Sequence, residues 1–189
     1  GGSGNVGWHF SVDNADIQFL AAGQVLTQTY TVFVQDDHGA LAQQDVTIAI
    51  TGANDAPTAV DETVVSDAGA NGIIDIPAWA LAFNDTDPDT IDHLFVNNIG
   101  SSSGGSAIPF GDVFFVDDAT PGGTFTYNTT DGIATSANNA TATVDNNAAS
   151  SPGWDGAAGN DIILATHGTE TLNGGGGNDI LIGNSGSHT

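Results

Sequence analysis

The chain has 189 residues, with no Lys, Arg or Cys, 23 Asp plus Glu and a formal charge of −23. Neutralising phosphates takes Lys or Arg, so nucleic-acid binding and docking on an anionic membrane surface are both excluded. No run of about 18 apolar residues occurs, so neither a transmembrane helix nor direct membrane insertion is expected.

A compact chain of this charge repels itself and has no internal ion pairs to compensate, so its cations must come from solution. Hard divalent ions suit carboxylates and carbonyls. The plainer alternatives are acidity for solubility alone, or partial disorder. Hydrophobic residues make up 39% of the chain and Gly contributes 26 residues, which suits thin β cores better than one large core. Without disulfides, metal ions can serve as the staple. The first residues lack a basic stretch followed by an apolar one, so the expectation is export without an N-terminal signal, or a piece of a longer protein.

Residues 1–56 read as β. Trp8, Phe10 and Val12 alternate and suggest a first strand. Tyr30, Val32 and Val34 share one face of a second, and Val46, Ile48 and Ile50 repeat the pattern. Between these two lies Gln35-Asp36-Asp37-His38-Gly39, a polar turn that makes the pair a hairpin. Thr51 to Pro57 is linker-like punctuation.

Residues 57–150 read as a second β domain. Its expected strands are Thr63–Ser66, Ile73–Ile76, His93–Asn97, Val113–Val116, Thr124–Tyr127 and Thr141–Val144, with turn signals at sandwich-like spacing. Pro77 followed by Ala78 to Phe83 suggests a short helical turn. Ser101 to Ser106 reads as a flexible Gly/Ser loop.

Residues 151–189 carry a repeat of nine. Gly174 to Ile182 matches G-G-x-G-x-D-x-U-x at every defined position. Upstream, Ala165 to Asn173 keeps Gly168 and Leu172, with Glu170 in the Asp place. Gly156 to Leu164 supplies Gly159, Asp161 and Ile163. A further unit begins at Gly183, with His188 where Asp is expected. The alternative is a flexible Gly/Asn tail. In its repeats this stretch resembles the RTX family of calcium-binding proteins. That resemblance implies Ca²⁺ in the six-residue turns and short strands of a parallel β-roll, with Ile163, Leu172 and Leu181 pointing inward. Two units make one coil, so it also implies that Asp161 stacks near Asp179 and shares Ca²⁺ with carbonyls of Gly156, Gly159, Gly174 and Gly176. Glu170 and His188 would form a poorer site on the opposite edge. The last unit is incomplete, which suggests truncation.

The run LTQTYTVFVQDDHGALAQQDVTIAITGANDAP resembles the C-terminal half of a VCBS repeat of bacterial surface adhesins. AVDETV, FNDTDPD and GTFTYNTTDGIATSANNATATV are similar to cadherin-like modules that accompany such repeats. Cadherin-type joints clamp Ca²⁺ with carboxylates of consecutive domains, which implies roles for Asp36 or Asp37, Asn54, Asp55, Glu62, Asp85, Asp87 and Asp89. Alternate spacing in an extended loop aims carboxylates to one side; the competing explanation is ordinary Asp-rich turns.

Two catalytic-looking motifs lack their context. Gly100-Ser101-Ser102-Ser103-Gly104 fits G-x-S-x-G without a strand-turn-helix. Gly2 to Gly7 fits G-x-G-x-x-G, but no helix follows. The five His are scattered and no H-E-x-x-H occurs, so no zinc-protease site is expected.

The expected fold is all-β: β-sandwich segments, VCBS-like over 1–56 and cadherin-like over 57–150, followed by the start of a parallel β-roll over 151–189. The resemblances imply a non-enzymatic, calcium-dependent structural or adhesive module, secreted or on the bacterial surface by type I secretion. Its implied partners are calcium ions, a cell-surface glycan or protein, or further copies of itself. The alternatives are a subunit that assembles into a fibre or sheet by strand addition, and an accessory domain of a secreted hydrolase.

Overall fold

The computed structural model describes residues 6–146, 153–166 and 171–183. The fold is all-β, as the sequence predicts, and it divides into two compact units. One comprises residues up to Asp55 together with Pro88–Asp92; the other comprises Ala56–Asp87 and the chain from His93 onward. Among the described residues no helix is long and apolar enough to cross a membrane.

The first unit holds a 3-10 turn at Asn14–Asp16 and the hairpin of β1 (Val25–Gln35) and β2 (Leu41–Thr51). The turn forms where expected. Asp36 Oδ1 accepts the N–H groups of His38 (3.0 Å) and Ala40 (2.8 Å), and Gly39 takes a positive φ that a side chain would resist. The strand expected at Trp8–Val12 is absent. That stretch forms no ladder; Phe10 instead approaches Tyr30 with ring centroids 6.3 Å apart. Alternation alone does not supply a hydrogen-bonding neighbour, and here side-chain packing takes its place.

The second unit is a sandwich. Its larger sheet runs β13-β11-β3-β9-β8-β5, and its smaller sheet β4-β7-β6. The strands are β3 (Glu62–Ser66), β4 (Ile73–Ile76), β5 (Phe95–Ser103), β6 (Gly105–Phe110), β7 (Asp112–Asp117), β8 (Gly123–Thr130), β9 (Ala140–Asp145), β10 (Gly153–Asp155), β11 (Asp161–Leu164), β12 (Thr171–Asn173) and β13 (Ile180–Ile182). The helical turn after Pro77 is α1 (Ala78–Leu81), which buries Ala80 and Leu81. Alternation sets the core. In β3 the residues Glu62, Val64 and Ser66 point inward, and in β4 Ile74 and Ile76 do. Val64, Phe115, Phe125, Tyr127, Ile162 and Leu164 belong to one cluster, with Phe115 stacked on Phe125 at 6.0 Å.

Ser101–Ser106 is a correction. It is the end of β5, a one-residue turn and the start of β6, not a flexible loop. Gly104 turns the chain at φ +74°, and a Cβ on Gly105 would meet the Phe115 ring at 2.7 Å. The small residues mark close backbone approach, which composition alone cannot distinguish from a linker.

The C-terminal strands coil with a repeat of two nonapeptides. β10 pairs in parallel with β12, Gly153 opposite Thr171, and β11 with β13, Ile162 opposite Ile180. β11 also pairs in parallel with β3, Asp161 opposite Thr63, so strands from 57–150 and 151–189 share one sheet. All four residues of β11 are therefore buried: Ile162 and Leu164 join the sandwich core, while Ile163 lies on the opposite face. Of the three residues expected inside the coil, Ile163 is fully buried and Leu172 half-buried. Leu181 is 44% exposed, because among the described residues β13 is the last strand at that side of the sheet.

Candidate cation sites

The coil turns repeat one arrangement. Asp161 heads β11 and Asp179 immediately precedes β13, and the Asp161 N–H donates to Asp179 Oδ1 at 3.1 Å. A Cβ on Gly156 would lie 2.6 Å from Asp161 Oδ2, and one on Gly174 would collide with Asp179 Oδ2. Each carboxylate thus rests on the bare Cα of the glycine five residues before it. Carbonyls of one turn lie close against glycines of the other: Gly174 O against Gly156, and Gly159 O against Gly177. The turns are laced by Gly156 N–H to Asn173 O (2.8 Å), Gly159 N–H to Gly176 O (2.6 Å) and Gly176 N–H to Ala157 O (3.2 Å).

The structure therefore brings Gly156, Gly159, Asp161, Gly174, Gly176 and Asp179 together. Asp161 is only 2% exposed, and its buried Oδ2 accepts no hydrogen bond. A buried carboxylate oxygen without a donor costs several kcal/mol unless a cation meets it, by about 2–7 kcal/mol for polar groups in general. Gathered carboxylates and carbonyls of this kind are the hard-oxygen donor set that suits Ca²⁺. Glu170 and His188 lie outside the described residues.

A second pair of acids lies in the first unit, where carboxylate oxygens of Asp89 and Asp92 come within 4.8 Å of each other. Asp89 is 2% exposed, and its Oδ2 accepts the Asp55 N–H at 2.9 Å. Asn54 Nδ2 donates to Asp55 O at 2.6 Å. The sequence missed Asp92, because simple alternation through 85, 87 and 89 does not foresee the turn that brings Asp92 N–H to Asp89 O.

Asp85 departs from that set. Its Oδ1 accepts the Val60 N–H at 2.7 Å, and its Oδ2 is buried without a hydrogen bond. Its charge is felt by Glu62, which is 4% exposed. Burial, then the charges of Asp85 and Asp161, push the Glu62 carboxyl up to about 8. Burial pushes Asp85 up to about 6, opposed by the Val60 hydrogen bond and by a Thr129 hydroxyl that stands near it. The Tyr127 hydroxyl donates to Val60 O (2.7 Å) and Leu81 O (2.8 Å), so its proton is committed to backbone. Burial first, then the negative charge of Asp85, raises its own titration.

Asp37 is not brought to Asn54 and Asp55. It sits at the hairpin tip, and β1 and β2 are each 11 residues long, which puts about 30 Å of ladder between the two ends. Asp37 is exposed and contacts His38 Nδ1 at 2.8 Å. Asp36, Asp37 and His38 form a compact group, but Asp36 is already used in closing the turn. Ser102 lies in β5 opposite Phe125, away from any strand-turn-helix.

No family model matches the chain, and none of the curated proteins matches it in sequence. Among solved structures, an endo-fucoidan hydrolase of glycoside hydrolase family 107, MfFcnA4, aligns with 71% of this chain at 17% identity and a TM-score of 0.26. The aligned region spans 22% of that protein. A likeness at that level carries no argument about fold or activity.

Proposed function

We propose that this chain is an extracellular, calcium-binding structural or adhesive module, related to RTX, VCBS and cadherin-like proteins, whose folding Ca²⁺ completes. The observation that supports it is the repeated turn: Asp161 over Gly156 and Asp179 over Gly174, one coil apart, with a buried Asp161 oxygen that no donor serves. In low-calcium cytoplasm the acidic chain stays loose and fit for type I secretion. Outside, Ca²⁺ fills weak sites, since extracellular modules bind at about 10⁻⁴–10⁻³ M. Binding to the folded form alone then drives folding by mass action. In this reading the chain performs no catalysis of its own. Far-UV circular dichroism during a Ca²⁺ titration tests it, with Mg²⁺ as control and EDTA to reverse. A Ca²⁺-specific gain of β signal supports the reading; an unchanged spectrum sinks it.

A second reading, assembly by strand addition, is favoured by the hairpin. It forms a two-stranded sheet, and Tyr30, Phe33 and Leu41 are exposed on it. Three strands or a packed face are the usual minimum for independent stability, and another copy supplies them in this reading. A monomer by light scattering in Ca²⁺ would count against it.

A further inference from the structure

We infer, taking the calcium reading of the repeat turns as the basis, that Asp67 and strand β3 seat the coil on the sandwich. Ions bound in the turns then also lock the sandwich, and the sandwich in turn sets the affinity of those ions. Asp67 and Thr166 are positioning residues here: they act through β11, not as ligands.

Strand β11 is shared between two interiors. Its register on β3, Ile162 opposite Val64 and Leu164 opposite Ser66, carries Ile162 and Leu164 into the sandwich core with Val64, Phe125 and Val144. Ile163, between them, is fully buried on the other face. The next strand of the coil follows suit, since Ile180 and Ile182 pack against the same core. A turn carboxylate is joined directly to each strand: Asp161 precedes Ile162, and Asp179 precedes Ile180. A turn ordered by an ion therefore fixes a strand that closes the sandwich, with no residue between.

The far end of β11 is fastened as well. Asp67 follows β3, and its Oδ1 accepts both the Thr166 N–H, at 2.8 Å, and the Thr166 hydroxyl. Between Thr166 and the strand, buried Ala165 donates its N–H to Ile182 O at 3.0 Å. So β11 is held at its head, where Asp161 N–H meets Asp179 Oδ1, and at its tail by Asp67. On its other side β3 pairs with β9, Val64 opposite Val144. Withdrawing β11 would leave β3 with an open edge and take Ile162 and Leu164 out of the core. A repeat unit, for its part, cannot bury its apolar face alone. The coupling is reciprocal. An ion that favours the seated coil favours the closed sandwich by the same factor, and a variant that unseats the coil lowers the fraction of chain competent to bind.

The test has two arms, both on the full chain. The first is amide hydrogen exchange at Ala140–Asp145 with Ca²⁺ and with EDTA, because β9 pairs with β3 and β8 and not with the coil. Exchange there is expected to slow by about tenfold or more in Ca²⁺, and Asp179→Asn to lose that response. The second arm is isothermal calcium titration. Asp67→Ala is expected to weaken binding by about fivefold or more, the lower end of coupling between linked sites. Asp67→Asn, which keeps the accepting oxygen, is expected to recover most of that loss. Thr166→Val is expected to weaken binding by about twofold to tenfold, as the loss of one hydrogen bond does, and it decides the matter if Asp67→Ala fails to fold. Ca²⁺ that slows exchange at Ile180–Ile182 but leaves Ala140–Asp145 unmoved overturns the seat and leaves the calcium reading standing. So does wild-type affinity in both Asp67→Ala and Thr166→Val. An Asp67→Asn variant as weak as Asp67→Ala overturns the positioning role, for charge and not hydrogen bonding would then be at work. A wild-type chain that binds no Ca²⁺ overturns both the seat and the calcium reading.

Discussion

Without calcium, replacing Glu62 by Gln stabilises the chain, and does so more at high pH than at low. The structure fixes the sign. Burial, with Asp85 and Asp161 adding to it, raises the Glu62 carboxyl from 4.5 to about 8 in the folded state. Between those values the folded chain holds a proton that the unfolded chain has released. Stability therefore falls as pH rises through that window, and the full penalty is present above the folded value. At about 1.4 kcal/mol per pH unit the ceiling is on the order of 5 kcal/mol, and residual solvation brings the expected effect to about 2–3 kcal/mol. Gln matches the size of Glu and cannot ionise, so the variant escapes the penalty. Burial raises Asp85 to about 6 with the same sign, but Asp85 is present in both proteins and largely cancels in the comparison. Urea unfolding in EDTA measures it. The gain in Glu62→Gln is near zero at about pH 5 and about 2–3 kcal/mol at about pH 9. Equal differences at the two pH values would refute the argument.

Other expectations follow from single contacts. Gly174→Ala places a methyl against Asp179 Oδ2, so calcium affinity in a titration falls by about tenfold or more, while Gly176→Ala, whose Cβ would meet nothing within 4 Å, changes it little. Asp89→Asn removes a charge that sits 2% exposed beside Asp92 and accepts the Asp55 N–H; it leaves the hydrogen exchange of β11 and β13 unchanged. Phe115→Ala empties a fully buried position stacked on Phe125 and costs about 3–5 kcal/mol in urea unfolding, with or without calcium.

Much of this architecture is legible in the residues because period-2 alternation and turn chemistry are local. Val64 inward, Asp36 closing the hairpin and Gly39 at positive φ all follow from a few neighbouring positions. The repeat of nine likewise carries its own register: Ile162 opposite Ile180 is two units, as the spacing demands. What the residues do not display is pairing across distance. That β11 lies beside β3 depends on which sheet edge is open, and no local pattern in Asp161–Leu164 names Glu62–Ser66 as its partner. The same gap explains the acids. Sequence spacing groups Asp85 with Asp87 and Asp89, but Asp85 is held by the Val60 amide while Asp92 folds back to Asp89. The four buried residues of β11 held one legible hint, since a strand apolar on both faces needs cover on both.

The most direct test of the account is amide hydrogen exchange of the whole chain with Ca²⁺ and then with EDTA, read at Asp161–Leu164 and Ile180–Ile182. If cations fasten the repeat turns, exchange at both segments slows in Ca²⁺, returns to its fast value in EDTA and does not slow in Mg²⁺. Exchange that is the same in all three conditions would contradict the account, for the turns would then hold their shape without any ion.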